Sequence, residues 1–205
     1  MKVELLSWTQ SPELVCAKAM RGCRSKLPAY DIPMRSNDIE RMIKSAIRLR
    51  HLSVLEHASF TFSVKRISRA CTHQLVRHRI ASYSQQSGRI IRPEYIIMPL
   101  SVYNSKYRNR FLEYSNNIIG FFNEMCDSSI PMDDARYILP FGHESNIVLT
   151  MNARELRHFF KLRIAKDAHW EIKQLANMML TIVYSISPLI FEDIYHKNKE
   201  VKESE

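Results

Sequence analysis

The alternation of apolar and polar residues along the chain predicts several helices and a few short strands. Phe60, Phe62 and Val64 alternate with polar residues at the period of a half-buried strand, and residues 147–151 form a second strand candidate. Helical spacing of apolar residues recurs in segments that begin near Ser11, Ser36, Ser68, Tyr103, Asn152 and Ile172. We therefore predict an α+β fold, a single mixed domain that is rich in helix and contains a small antiparallel or mixed sheet.

The longest helical pattern consists mostly of aromatic residues. Its stripe contains Tyr103, Tyr107, Phe111, Tyr114, Ile118, Phe121 and Met125. Large apolar residues at this spacing normally face a core, so we predict one long helix that packs through its aromatic side. No linker or repeat divides the chain, which predicts one folded unit over residues 1–195 and a charged tail over residues 196–205.

Composition excludes several classes of protein. The 205 residues are 45% hydrophobic, which is enough for an ordinary core and excludes a disordered chain. Only four glycines are present, and their spacing excludes both the dinucleotide-binding and the phosphate-binding glycine loops. The four cysteines form no C-x-x-C pair, which predicts reduced thiols. Because neither a signal-peptide pattern nor an uninterrupted apolar run of membrane-spanning length occurs, we expect a soluble cytoplasmic protein without membrane partners.

The chain is basic, with 30 Lys and Arg against 21 Asp and Glu and a net charge of +9. Between Glu56 and Glu94 it contains seven arginines and lysines but no Asp or Glu. Part of this stretch is apolar enough to be buried, and a cation near buried surface needs an anionic partner because unpaired charge is costly in a low dielectric. That partner is either an acidic side chain elsewhere in the chain or a ligand, so this acid-free stretch is the first candidate site.

Two other functions use the same residue types. Positive charge with tyrosines near arginines also suits a nucleic-acid-binding protein, whose affinity falls steeply with salt, but no RNP, KH, zinc-finger or basic-zipper pattern occurs. A metal hydrolase is the second alternative, yet no H-E-x-x-H or comparable ligand spacing is present. The histidines that suggest this alternative are His51, His57, His73, His78 and His143. We therefore predict that the ligands include neither a metal nor a nucleic acid.

The centre of the acid-free stretch carries the most specific motif. Residues 77–87 read Arg-His-Arg, seven further residues, then Ser, which resembles the signature of the flavin-dependent thymidylate synthases. Further groups recur in that family's order and approximate spacing, namely Gly88-Arg89, Ala135-Arg136, Asn152-Ala153-Arg154, and Arg163 before Trp170-Glu171-Ile172. The chain departs from many relatives at Ser84-Gln85, where they have Asn-Glu, and at Ile90, where they have Tyr.

The resemblance implies an activity, its cofactors and an assembly. The activity is the reductive methylation of dUMP to dTMP, in which methylenetetrahydrofolate donates the carbon unit. Reduced FAD, regenerated by NADPH, supplies the hydride. Members of the family are homotetramers whose active sites lie between subunits, so the resemblance implies that each site collects residues from more than one chain.

Site residues follow from the resemblance position by position. Those implied to bind the flavin are Ser53, Arg77, His78, Arg79, Gln85, Asn152, Ala153, Arg154 and His158. Those implied to bind the nucleotide are Gln74, Leu75, Val76, Arg77, Gln85, Gln86, Ser87, Gly88, Arg89, Arg136 and Arg163. The residue types agree with this, because without glycine loops phosphates must be met by arginine forks, serine hydroxyls and helix N-termini. Arg154 and His158 share a helix face and suit one ligand, whereas Arg163 lies about half a turn away, so we expect Arg163 to have a separate role.

Activation of the uracil ring needs either a thiolate or a group that stabilises negative charge on the ring. Cys71 falls on an apolar helix face with Leu75, so we predict that it is a core residue rather than a nucleophile. Arg163 keeps its proton and is suited to stabilise the ring anion. We therefore expect Arg163 to be the catalytic residue and Ser87 to bind the substrate rather than attack it.

Overall fold

The computed structural model describes the backbone of residues 1–203 and the side chains of residues 1–200. The strands are β1 (Lys2–Trp8), β2 (Ser59–Ser68), β3 (Ala81–Gln85) and β4 (Glu144–Asn152). The helices are α1 (Pro12–Gly22), α2 (Ser36–Arg48), α3 (Arg69–Leu75), α4 (Leu100–Tyr103), α5 (Arg108–Asp127), α6 (Met132–Ala135), α7 (Ala153–Arg163), α8 (Trp170–Ile186) and α9 (Pro188–Glu203). Short 3-10 turns cover Ala29–Asp31, Leu52–His57 and Arg136–Ile138.

Helix predominates, and the strands of the described residues form one small antiparallel sheet in the order β1-β2-β4-β3. The predicted α+β class is therefore confirmed. None of the described helices is long and apolar enough to cross a lipid bilayer.

The chain forms two compact units. The first consists of residues 1–2, 64–77 and 83–148. The second consists of residues 3–63 and 78–82 and of the described residues from 149 onward. Each unit contains part of the acid-free stretch, and each contains one of the two clusters of candidate site residues described below.

Aromatic side chains build the core of the second unit. Phe60 of β2 packs edge-on against Phe191 of α9, with 6.0 Å between ring centroids, and Phe191 packs in the same way against Phe160 of α7 at 5.9 Å. The alternation predicted for β2 is confirmed, because Phe60, Phe62 and Val64 are all fully buried. The aromatic contacts hold α7, which carries several of the candidate site residues, against the rest of this unit.

Helix α7 begins directly after Asn152, the residue near which the sequence predicted its start. Asn152 has an extended backbone, and its Oδ1 accepts a hydrogen bond of 2.9 Å from the N–H of Glu155, which makes it the N-cap. The N–H of Ala153 donates to the carbonyl of Ala58 at 2.7 Å. A side-chain cap and a backbone hydrogen bond therefore both fix the start of this helix.

The prediction of one long helix with an aromatic face in the core is wrong in two respects. The helical path breaks between α4 and α5, and α5 buries Ser115 and Phe122 instead of the aromatic stripe. Tyr114 and Phe121 are 53% and 50% exposed on the isolated chain. Helical spacing shows that residues share a face, but it does not show that the same chain covers that face.

Other boundaries also differ from the prediction. The helix predicted to begin near Ser68 is short and ends at Leu75, and the next segment leads into β3, which starts at Ala81. A further helix, α9, follows α8 and starts at Pro188, since proline lacks only an N–H that the first helical turn leaves unpaired. Residues 196–203 of the predicted tail continue α9, whereas residues 204–205 lie outside the described residues.

Candidate active site

The first unit contains a cavity of about 890 Å³ with an arginine-rich wall. Arg69 of α3 and Arg136 of the turn after α6 lie beside Gly88, in the loop that follows β3. Gly88 permits this approach, because a Cβ there would lie 3.2 Å from Nη2 of Arg69 and 4.0 Å from Nη1 of Arg136. The cavity therefore brings together two guanidinium groups, the Ser87 hydroxyl and a backbone that no side chain covers.

The arginines of this cavity differ in how their charges are balanced. Oδ1 of Asp133 lies 3.0 Å from Nη2 of Arg136 and 3.1 Å from Nε of Arg89, so one carboxylate serves two cations. None of the ion pairs among the described residues includes Arg69. Burial of Arg69, and after it the positive charge of Arg136, lower the pKa of Arg69 below its ordinary value. An anion with several oxygens would relieve this repulsion and replace the lost hydration.

Gln85 connects three elements of the first unit. Its Nε2 donates hydrogen bonds to Oγ1 of Thr72 at 3.0 Å and to Oγ of Ser145 at 3.1 Å. A glutamate at this position would not donate these bonds, because its ionised carboxylate only accepts. The departure from the Asn-Glu pattern therefore has a local structural role in this chain.

The loop that carries the predicted phosphate ligands is anchored to β4. The N–H of Gln86 donates to the carbonyl of Asn146 at 2.9 Å, and Oε1 of Gln86 accepts from the N–H of Asn146 at 3.1 Å. Within the loop, the N–H of Arg89 donates to Oγ of Ser87 at 3.2 Å. These bonds hold Ser87 and Gly88 at the cavity before any ligand arrives.

The predicted nucleotide residues before the Arg-His-Arg motif have different surroundings. Leu75 is fully buried and its carbonyl accepts a hydrogen bond of 2.8 Å from the Tyr83 hydroxyl. Gln74 is half-buried, whereas Val76 and Arg77 are exposed. Any contact from Leu75 to a ligand is therefore limited to its backbone.

The second unit buries His78 between an acid and an arginine. Nδ1 of His78 lies 2.9 Å from Oε1 of Glu155, and Nε of Arg163 donates to Nε2 of His78 at 3.1 Å. Burial lowers the pKa of His78, the hydrogen bond with Glu155 opposes this, and the charge of Arg163 lowers it further. The rings of His158 and Phe159 pack edge-on against the imidazole, with centroids 5.7 Å and 5.0 Å away. His158 and Arg163 therefore share one neighbour, although their spacing along α7 predicted separate roles.

Most of the other residues predicted to bind the flavin also lie in the second unit. The two exceptions are Arg77 and Gln85, which lie in the first unit. Nη1 of Arg154 lies 2.5 Å from Oε1 of Glu56 in an exposed ion pair, and Arg79 is exposed. Ala153 is fully buried, so it offers backbone atoms alone. Ser53 lines a second cavity of about 370 Å³. The wall of this cavity also includes Arg21, Arg24, Arg41 and His51.

His78, Glu155 and His158 place possible ligand atoms within 4.8 Å of one another, a spacing that would suit a metal ion. Both ring nitrogens of His78, however, have hydrogen-bond partners, and one of these partners is the Arg163 cation. A metal ion would add a second positive charge beside this guanidinium, which is costly in a buried setting. The cluster is therefore better suited to hydrogen bonding than to metal coordination.

Sequence reasoning missed two residues of these clusters. Arg69 was one cation among several in the acid-free stretch, and only the fold brings it to Gly88. Glu155 stands three positions after an N-cap, where acidic residues are common, so its position indicates helix capping rather than a site. The one signal for Arg69 was the absence of nearby acids, and the sequence offered no specific signal for Glu155.

We expect the protein to lose stability as pH falls from about 7 to about 5.5, the range around and below the ordinary histidine pKa of about 6.5. Burial lowers the pKa of both His78 and His143; for His143 the Pro140 carbonyl opposes the shift and Arg69 adds to it. The unfolded chain therefore binds more protons once pH drops below the ordinary histidine value of about 6.5, which favours unfolding. Urea unfolding at several pH values measures this, and a His143→Gln variant should show a shallower dependence. A free energy of unfolding that is flat over this range would contradict the expectation.

The fold and the first cavity define the class as an α+β protein with an arginine-lined cavity suited to anionic ligands. The family described as thymidylate synthase complementing protein matches residues 4–189. A flavin-dependent thymidylate synthase from Geobacter sulfurreducens is 42% identical over 202 residues, which cover 94% of this chain and 86% of that protein. The corresponding protein from Saccharolobus solfataricus is 41% identical over 199 residues, which cover 94% of this chain and 76% of that one. The chain belongs to the flavin-dependent thymidylate synthase family.

A solved structure supports the same conclusion. The UMP/dUMP methylase PolB from Streptomyces cacaoi, bound with 5-Br dUMP, superposes with a TM-score of 0.83 at 26% sequence identity. The superposition covers 93% of each chain. The resemblance inferred from residues 77–87 is therefore confirmed at the level of family and fold.

Proposed function

We propose that this chain converts dUMP to dTMP, with methylenetetrahydrofolate as carbon donor, FAD as the flavin and NADPH as its reductant. One observation carries the proposal: the Gly88 cavity holds two guanidinium groups, and the described residues provide no ion-pair partner for Arg69. Such a site suits a nucleotide phosphate. The relatives' names, which specify flavin-dependent thymidylate synthase, and PolB's bound 5-Br dUMP support the same reaction.

In this proposal the nucleotide phosphate binds at the anchored loop. The Ser87 hydroxyl and the backbone at Gly88 donate to it, and Arg69, Arg89 and Arg136 balance its charge. Asp133 holds Arg89 and Arg136 in position, with contacts of 3.1 Å and 3.0 Å. Binding of the nucleotide would leave Gln85 in place, because its amide group already donates to Thr72 and Ser145.

The residues present also suit FAD. Arg79 and Arg154 of the second unit are exposed cations suited to a pyrophosphate, and His158 and the Asn152 amide of the same unit can hydrogen-bond to the flavin's polar edges. Arg77 is an exposed cation of the first unit. Ser53 lines the smaller cavity, whose wall carries further arginines that can bind anionic groups. The reduced flavin, once bound, supplies the hydride. The chain's own contribution is to hold this cofactor and orient the nucleotide without a glycine loop.

We assign activation of the uracil ring to Arg163. Its guanidinium keeps its charge and would stabilise the anion formed when the ring nitrogen ionises. Its Nε donates to Nε2 of His78 at 3.1 Å, which links the guanidinium to the buried imidazole. Cys71 is fully buried in α3, as predicted, which is unsuited to a nucleophile that must reach a bound nucleotide.

Exposed groups on the single chain support the proposed homotetramer with shared active sites. Arg77 and Arg79, both predicted ligands, are exposed, and Tyr114 and Phe121 of α5 are about half exposed. Burial of such a face between subunits would remove apolar surface from water. Light scattering should give four times the chain mass of 24.1 kDa.

The experiment that tests the proposed function is spectroscopic. The purified protein, alone or after addition of FAD, should be yellow, and NADPH with dUMP under anaerobic conditions should bleach it. Mass spectrometry should then detect dTMP when methylenetetrahydrofolate is present, and not when it is omitted. A colourless protein that does not take up FAD and binds RNA with a steep salt dependence would contradict the proposal.

A further inference from the structure

The contacts of His78 define which ring nitrogen carries its proton. The Nε–H of an arginine can only donate, so Nε2 of His78 must accept the 3.1 Å hydrogen bond from Arg163. In the neutral ring the proton is then on Nδ1, which donates to Oε1 of Glu155 at 2.9 Å. Arg163 therefore donates to His78, and His78 in turn donates to Glu155. The position of the proton on the imidazole depends on both of these partners.

The surroundings favour this arrangement and oppose others. The side chains of His78 and Glu155 are only 3% and 7% exposed, so water competes little for their hydrogen bonds. Glu155 lies in the first turn of α7, where the helix dipole stabilises a carboxylate, and the adjacent Arg163 disfavours a charged imidazole. The edge-on contacts with Phe159 and His158 restrict rotation of the ring.

The chain of contacts matters because Arg163 is the last residue of α7. A long side chain at a helix end has many rotamers, and fixing it costs conformational entropy. The hydrogen bond from Nε to His78 restricts the orientation of the planar guanidinium, and hence the directions of its Nη groups.

We propose that Glu155 is a positioning residue, which holds His78 in the Nδ1–H form and thereby fixes the guanidinium of Arg163 in the orientation that its task requires. Glu155 does not contact the substrate in this scheme. The expected effect on turnover rests on the proposed function. The orientation of Arg163 does not, because it can be measured without any substrate.

The matched pair of variants is Glu155→Gln and Asp193→Asn. Glutamine keeps the size of Glu155 but removes its charge, and its amide group can donate to Nδ1 and so favour the tautomer whose Nε2–H opposes Arg163. Asp193 is the control because it forms another ion pair of the same helix, with Oδ1 2.7 Å from Nη1 of the buried Arg157. That pair includes neither His78 nor Arg163.

The first measurement is the exchange of the Arg163 Nε–H with water, followed by NMR on full-length protein labelled with ¹⁵N-arginine. The signal is assigned by its loss in Arg163→Lys. We expect a protected signal in the parent protein, exchange at least about tenfold faster in Glu155→Gln, and no change in Asp193→Asn. Unchanged protection in Glu155→Gln overturns the inference, whatever the activity of the protein.

The second measurement is a double-mutant cycle on dTMP formation. Glu155→Gln should lower kcat about 10- to 100-fold, as loss of an orienting group typically does, and should change the KM for dUMP little, whereas Glu155→Asp should restore part of the rate. In an Arg163→Ala background Glu155→Gln should have almost no further effect, because its role passes through Arg163. If Glu155→Gln lowers kcat by the same factor in the parent protein and in the Arg163→Ala background, the inference is overturned. A parent protein that makes no dTMP refutes the proposed function instead, and the exchange measurement then decides the positioning role alone.

Discussion

Replacing Arg163 by alanine is expected to lower kcat about 10²- to 10³-fold, the usual cost of removing one donor that stabilises a developing anion. The change removes the guanidinium that meets the substrate ring in our proposal, and it also removes the donor to Nε2 of His78. The aromatic core around α7 does not depend on this side chain, so the protein should remain folded and should still bind FAD. Stopped-flow absorbance separates flavin reduction by NADPH from methyl transfer, and only the latter should slow.

Two companion variants make this test specific. Arg163→Lys keeps a positive charge but loses the Nε donor and the planar fork, so it should recover only a small part of the rate. Cys71→Ala changes a fully buried thiol in α3 and should leave turnover within about threefold. The opposite pattern, with turnover lost in Cys71→Ala and kept in Arg163→Ala, would show that a thiolate activates the ring.

Local patterns predicted those parts of the fold that local physics determines. The alternation in β2 and the Asn152 cap of α7 each depend on residues within a few positions, and both are present. The α5 prediction failed because burial of an amphipathic face depends on what packs against it. On the isolated chain nothing encloses Phe121, which is half exposed.

The candidate site shows the same division between local and long-range information. Ser87, Gly88 and Arg89 are consecutive, so their common location followed from the motif. The bond between His78 and Glu155 joins residues 77 positions apart, and no local pattern indicates it. The approach of Arg69 to Gly88 depends on how α3 and the loop after β3 are placed in the first unit. Charge composition predicted an anion site, but only the fold selects which arginines form it.

These observations connect the family's sequence departures to structure. Gln85 stands where many relatives have Glu, and here its amide donates to Thr72 and Ser145. An ionised carboxylate could make neither bond without a change in its partners' hydroxyl orientation. Any proton transfer in the reaction must therefore come from another group in this chain, a substrate or water.

Replacing Arg69 by methionine is expected to raise the KM for dUMP about 10- to 100-fold, because a hydrogen bond to a charged group contributes about 1.5–3 kcal/mol. Methionine keeps most of the buried volume, so the cavity wall should remain packed. Removal of Arg69 also relieves its repulsion with Arg136 in the unliganded protein, so the variant should be no less stable than the parent. Arg136→Met should have a similar effect on KM and should leave Arg89 as the partner of Asp133.

Substrate charge provides the decisive control for this prediction. Deoxyuridine has the same base and sugar as dUMP but no phosphate, so Arg69→Met should weaken binding of dUMP and leave the weaker binding of deoxyuridine unchanged. Arg92→Met is the matched variant, since Arg92 lines the same cavity but lies 2.8 Å from Oδ1 of Asp127 and is already balanced by it. Isothermal titration of both ligands against each variant measures this. Equal losses for dUMP and deoxyuridine in Arg69→Met would mean that this arginine shapes the cavity and does not bind the phosphate.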